Sequence, residues 1–204
     1  MVEQVPTRIW DERYAREEYV FGKEPNDFLV EIVGQVPRGE ILCLADGEGR
    51  NGVFLAGLGH NVTSVDASAV ASEKAQKLAA EKGVAIETVL ADLNEYDMGE
   101  DKWDCIVSIF FHMVPDMRRT MHEKVARAIR PGGFLILEAY TPAQLEFKTG
   151  GPPVAEMLMN LERLHGDFPD LEFIHAVEKE RDVYEGKGHA GHAAVVQLFA
   201  RKPA

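Results

Sequence analysis

A chain of 204 residues suits one α/β domain with an ample core. Its 34 acids against 22 bases leave a formal charge of −12, which argues against a nucleic-acid partner, because phosphates require a basic face. No apolar run approaches membrane-spanning length and the first residues lack a hydrophobic signal segment, so the expectation is a cytoplasmic protein without a membrane partner, monomeric or homodimeric.

From about Thr7 to Glu18 the sequence predicts a charged helix with Trp10 and Tyr14 one turn apart on one face. An aromatic turn, Tyr19 to Pro25, leads to a second short helix with its N-cap at Asn26. Residues 1–37 therefore read as a helical lid ahead of a core of residues 38–204. The most informative stretch follows, Ile41 to Gly52, ILCLADGEGRNG. A buried strand breaks into a glycine turn (Gly47, Gly49, Gly52), and helical spacing resumes at Val53, Phe54, Leu55 and Leu58. Glycine lets backbone N–H groups approach a ligand, and the helix start adds free donors. A second strand, NVTSVD, ends at Asp66, about 20 residues on, where a carboxylate can accept hydrogen bonds from a ribose. This pattern points to an adenosine-containing cofactor.

Asp66 to Ser68 can cap a helix running to Gly83. The third strand is AIETVLAD, closing at Asp92, and the fourth is Trp103 to Phe111. Pro115 opens a helix with apolar positions at Met117, Met121, Val125, Ala128 and Ile129. Pro131, Gly132 and Gly133 are expected to stop it, and FLILEAY supplies the fifth strand, ending at Tyr140. Strands alternating with helices in this way indicate a parallel sheet covered on both faces. A Gly/Pro-rich loop, Thr141 to Pro153, carries Lys148, a solvated lysine or one that meets an anionic acceptor. A helix is expected near Val154 to Leu164. The last two strands, LEFIHAVEKERDVYEG and GHAAVVQLFARK, read as a hairpin around GKGHAGH, with EKERD as an exposed edge. Cys43 and Cys105 lie in apolar runs and imply no disulfide.

These residues resemble a class I S-adenosylmethionine-dependent methyltransferase. LADGEGRNG, Asp66, LADLNEY and RPGG carry the resemblance, together with the terminal hairpin. More narrowly, IWDERYAREEYVFGKEPNDFL, EGRNGVFLA and AAVVQLFARKP look like the compact bacterial tellurite-resistance and thiopurine-methyltransferase-like group. The resemblance implies a three-layer α/β sandwich around a seven-stranded, mostly parallel Rossmann-like sheet with an antiparallel C-terminal strand. It also implies S-adenosyl-L-methionine as cofactor. Ala45, Asp46, Gly47 and Gly49 would then wrap its methionine and ribose, Asp66 would hold the ribose hydroxyls, and Asp92 with Leu93 would address the adenine. Ser108 and Phe110 would line the sulfonium and the acceptor pocket, and Trp10, Tyr14 and Tyr19 would close over it. Family members often carry an acid where this chain has Cys43 and a glycine where it has Ala45.

The acceptor is expected to be a small molecule, thiol or chalcogen-containing by resemblance only, near Phe110, Tyr140 and Lys148. His112 and His189 are the residues nominated as a base, although His112 reads equally as a packing histidine. Turn histidines are usually solvated, and no metal is expected. Two alternatives stay open. Gly47-x-Gly49-x-x-Gly52 is also a dinucleotide fingerprint of NAD-dependent oxidoreductases, and the departures at Cys43 and Ala45 allow a cofactor-binding protein without catalysis.

Overall fold

The computed structural model describes Gln4 and residues 6–204. Seven strands form one sheet in the order β3-β2-β1-β4-β5-β7-β6. They are β1 (Glu40–Leu44), β2 (Asn61–Asp66), β3 (Glu87–Leu90), β4 (Trp103–Ile109), β5 (Ile129–Tyr140), β6 (Glu172–Glu185) and β7 (His189–Arg201). β1 to β5 pair in parallel, and β7 runs antiparallel between β5 and β6.

Alternation along β1 divides the core. Ile41 and Cys43 face one apolar cluster, which includes Phe28, Val53, Leu55, Ala75 and Leu78. These come from α2 (Asp27–Ile32), α3 (Arg50–Gly57) and α4 (Ala69–Lys82). Leu42 and Leu44 face the other cluster, with Met121 and Val125 from α5 (Pro115–Ala128) and Leu164 from α7 (Leu161–Asp167). A sheet buried on both faces explains why its strands read as continuous apolar runs. Both cysteines are free and buried.

Local chemistry sets most boundaries. The Asn26 side chain accepts from Leu29 N and starts α2; Ser68 does the same for α4 through Ala71 N, and Gly83 ends α4 at φ +70°. Three expectations need correction. The first helix, α1 (Thr7–Tyr14), ends at Tyr14 rather than Glu18. Lys74 Nζ donates to the carbonyls of Tyr14, Arg16 and Glu18, drawing this backbone onto α4 instead of into a helical ladder. At RPGG, α5 has already ended at Ala128, and Ile129 pairs with Trp103; Pro131 to Gly133 are absorbed into β5 beside a register shift. No single helix spans 154–164. A 3-10 turn, Ala155–Met157, precedes α7, whose start is set by Asn160 accepting from Arg163 N.

Candidate active site

Between β1 and α3 the chain takes three left-handed residues within five: Ala45 (φ +48°), Gly47 (φ +57°) and Gly49 (φ +83°). Each glycine of this turn has a different neighbour. A Cβ at Gly49 would lie 2.6 Å from Ala75 Cβ, so this glycine lets the turn sit against α4. A Cβ at Gly52 would lie 2.5 Å from Asp46 Oδ2. Asp46 needs that space, because its carboxylate accepts from Gly52 N at 3.2 Å and from the Ser64 hydroxyl at 2.9 Å. Burial pushes the Asp46 carboxyl up to about 7, against the pull of the Ser64 hydrogen bond. Its side chain braces the turn from inside. A Cβ at Gly47 would come nearest to the Tyr14 side chain, 2.8 Å from its hydroxyl and 3.4 Å from Cζ. Gly47 is buried, with Tyr14 of the N-terminal segment lying over it.

Asp66, at the tip of β2, accepts from Gly47 N at 2.9 Å and from Ser68 N at 2.8 Å. Burial raises its carboxyl above the usual range, opposed by these backbone donors. A carboxylate offers about four acceptor positions, so two donors do not saturate it. Asp92 is exposed, and its carboxylate accepts from the backbone and side chain of Asn94. Leu93 is buried in the cluster on the α5 side of the sheet. The adenine role expected of the Asp92–Leu93 pair thus falls on a turn-forming carboxylate and a core leucine. Ser108 is buried beside Leu44, at the root of the glycine turn.

The N-terminal segment is fastened at that turn. Glu48 Oε2 accepts from Val20 N at 2.7 Å and pairs with Lys74, which already holds the carbonyls of Tyr14, Arg16 and Glu18. Trp10 stacks on Tyr14 at 5.8 Å and Arg13 lies over the Trp10 ring. Tyr19 turns away: its hydroxyl donates to Lys74 O on α4. Lys148 is exposed and ends a short helix, α6 (Gln144–Phe147), in a left-handed conformation.

Beyond the turn, the ends of β4, β5 and β7 bring an aromatic cluster together. Phe110, strained at φ +54°, stacks on Tyr140 at 4.5 Å and meets His189 at 4.7 Å. Phe21 of the N-terminal segment packs on His189 at 4.5 Å. A bulky residue held in this region of φ is a pointer to function.

The two nominated histidines differ. Phe110 O lies 3.0 Å from His112 Nδ1, and Tyr140 N donates to His112 Nε2 at 3.0 Å. The Tyr140 donor requires an unprotonated Nε2, so Nδ1 carries the proton. Burial of the ring, with His189 close by, pushes His112 down to about 3, although an edge of the residue stays exposed. With its lone pair committed to the backbone, His112 cannot serve as the expected base; it ties β4 to β5. His189 Nδ1 has no hydrogen-bond partner among the described residues and lies 3.5 Å from Glu185 Oε2, long for a hydrogen bond.

A buried charge network lies behind this cluster. Glu138, fully buried in β5, accepts from Arg181 Nε and Nη2, from Gln197 Nε2 and from Asn26 Nδ2. Glu185 accepts from Asn26 Nδ2 at 2.8 Å and from Arg50 Nη2 at 2.5 Å. Burial alone would raise the Glu185 carboxyl, but His189 and Arg50 override it and hold it at about 2. Sequence reasoning missed Asn26, Glu138, Arg181 and Glu185 as a unit. Arg181 belongs to the EKERD run expected as an exposed edge, whereas its side chain is mostly buried against Glu138. The available signal was Glu138 itself, one carboxylate inside FLILEAY.

Among the described residues no group of three or more His, Cys, Asp or Glu side chains could hold a metal, and no helix is long and apolar enough to cross a membrane. Residues 41–133, from β1 into β5, match the family model of the methyltransferase domain. The chain is 27% identical over 150 residues to YbaJ, an uncharacterized methyltransferase of Bacillus subtilis (strain 168), covering 73% of this chain and 56% of that protein. It spans about half the length of the curated relatives it matches. TehB from Haemophilus influenzae superposes with a TM-score of 0.71 at 20% identity, over 96% of this chain and 66% of that one. The N-methyltransferase NodS from Bradyrhizobium japonicum WM9, in complex with S-adenosyl-L-homocysteine, superposes with a TM-score of 0.70 at 15% identity, over 97% and 98% of the two chains. At such identities these structures speak for the fold. The segment that matches the methyltransferase domain is thus set in a Rossmann-like sheet of this order, with the glycine turn and the β2 carboxylate at the same edge.

Proposed function

We propose that the chain transfers a methyl group from S-adenosyl-L-methionine to a small molecule seated at the aromatic cluster of Phe110, Tyr140 and His189. One observation carries this reading: the glycine turn and the aromatic cluster meet at the same end of the sheet, bridged by Tyr14 and Phe21, whose rings lie 6.2 Å apart. The residues fit the cofactor. The glycine turn leads into the N-terminus of α3 at Arg50, where the helix dipole favours a carboxylate, and Asp66 retains acceptor capacity for ribose hydroxyls. When bound, the cofactor supplies an already activated methyl carbon, so the protein has chiefly to position and to exclude water. Such positioning is worth about 7–11 kcal/mol in well-oriented systems. Phe110, Tyr140 and Phe21 supply apolar walls, and the Glu48–Lys74 pair holds the lid backbone against the turn.

The acceptor is a small molecule in this reading because the cluster is enclosed by short segments and lid aromatics. NodS, an N-methyltransferase, makes nitrogen a candidate nucleophile beside the thiol or chalcogen that resemblance suggests. The oxidoreductase alternative conflicts with an antiparallel β7 inserted between β5 and β6, where a dinucleotide fold continues in parallel. Calorimetry with S-adenosylhomocysteine and with NADH is the test. Binding of the sulfur compound, weakened at least tenfold by Asp66→Ala, is expected; binding of NADH alone would overturn the reading.

A further inference from the structure

Glu185 and His189 stand opposite each other in the β6–β7 ladder, with Oε2 and Nδ1 3.5 Å apart. Arg50 and Asn26 fix the carboxylate from behind. Arg50 directly follows Gly49, so the anchor of Glu185 is the first residue of the helix that starts at the glycine turn. The other edge of the imidazole converges with the Tyr140 hydroxyl. A Cβ at Gly150 would come within 3.1 Å of His189 Cδ2 and 2.7 Å of Tyr140 Oη. Charges around the cluster cancel, with Glu138 and Glu185 facing Arg50 and Arg181.

We propose that Glu185 and His189 work as a pair, Glu185 orienting the imidazole through Nδ1–H and Nε2 taking the proton of a neutral acceptor whose nucleophilic nitrogen or oxygen carries one. This rests on the methyltransferase reading and narrows its substrate class. As the acceptor heteroatom forms its bond to the methyl carbon, the carbon–sulfur electron pair departs with sulfur. The acceptor's proton passes to Nε2 and from there to solvent. His189 is the catalytic base and Glu185 a positioning residue. The carboxylate behind the imidazole selects the tautomer whose Nε2 lone pair is free, as orienting acids do in other nucleophile-activating sites. A pre-ionised chalcogen would have no use for such a pair.

The test uses the full chain labelled with ring-15N histidine and saturated with S-adenosylhomocysteine. Nitrogen chemical shifts are expected to show His189 as the Nδ1–H tautomer, and Glu185→Gln to lower its pKa, since Glu185 is the nearest of the charges facing it (Arg50 and Glu138 being the others). Catechol and benzimidazole serve as protonated acceptors and thiophenol as one that ionises near neutral pH. Glu185→Gln is expected to cut kcat for the first two about tenfold with KM unchanged, and to spare thiophenol. An Nε2–H tautomer in the wild type, which needs no variant to fold, would overturn the pair. So would turnover of thiophenol alone, indifferent to His189→Gln. Failure of S-adenosylhomocysteine to bind would instead remove the methyltransferase reading itself.

Discussion

Gly47 and Gly49 sit two residues apart in one turn, yet adding a methyl to each should have different consequences. At Gly49 the new Cβ would lie 2.6 Å from Ala75 Cβ and 2.9 Å from its Cα, which belong to the backbone and shortest side chain of α4 and cannot swing away. Overpacking of that kind costs about 1–3 kcal/mol. The left-handed φ of +83° adds about 1–2 kcal/mol for a residue with a Cβ, partly offset by a gain of about 0.4–1 kcal/mol from a stiffer unfolded chain. The net loss for Gly49→Ala is about 1–5 kcal/mol, against the roughly 5–15 kcal/mol typical of a domain. Gly47→Ala meets only the end of the Tyr14 side chain, and φ +57° is close to the +48° that Ala45 already adopts. Its stability cost should stay near 1–2 kcal/mol, while displacement of Tyr14 from the turn weakens S-adenosylhomocysteine binding. Urea unfolding followed by tryptophan fluorescence, paired with calorimetry, reads both effects. The reasoning fails if Gly49→Ala unfolds within 0.5 kcal/mol of the wild type, taken as about the scatter of such measurements, or if Gly47→Ala is the less stable of the two.

The remaining predictions concern strain, buried charge and pH. Ala45→Gly should be neutral to about 1 kcal/mol stabilising, because relief of the left-handed strain slightly exceeds the entropy cost of glycine; denaturant midpoints measure it. Arg181→Met leaves Glu138 buried without its guanidinium and should cost about 3–5 kcal/mol, much of it recovered in the double variant with Glu138→Gln. His112 is held at about 3 and Asp46 at about 7, so their effects on stability run in opposite directions. His112, depressed from 6.5, contributes stability above that pH and loses it as pH falls toward 3; Asp46, raised from 3.8, contributes most below that value and loses it as pH rises through 7. The stability gap between wild type and His112→Gln should therefore narrow from pH 6.5 to 5, and the gap to Asp46→Asn should widen. Urea titrations across that range check both signs. Glu185, held at about 2 instead of 4.5, adds a further loss of about 3 kcal/mol between those two values, absent in Glu185→Gln.

Period and punctuation marked most strands and helices. NVTSVD is a strand over the residues expected, and Ser68 and Gly83 bound α4 as their chemistry predicts. The glycine turn and its distance to Asp66 were also legible, since each depends on residues within about 20 positions. What local pattern could not show was where side chains go once the turn is folded. Asp46 faces inward because Gly52 leaves room for it, and Leu93 joins the core. Arg181 lies in a run of charges that looks solvated, and only the antiparallel pairing of β6 with β7 carries it over Glu138.

Composition, hydrophobic periodicity and the turn motif were sufficient to specify an α/β sheet with a glycine turn and a distal carboxylate at one edge, because these are short-range properties that the residues carry with them. The roles within the site were decided by tertiary structure. His112 and His189 look alike as sequence; one has both nitrogens tied to backbone and the other faces a carboxylate anchored by Arg50. Glu185 meets Arg50 across 135 residues, and Asn26 meets Glu185 across 159. Contacts at such separations exist only after the sheet closes, and a proton-bearing nitrogen acquires its chemistry from whichever groups that closure brings beside it.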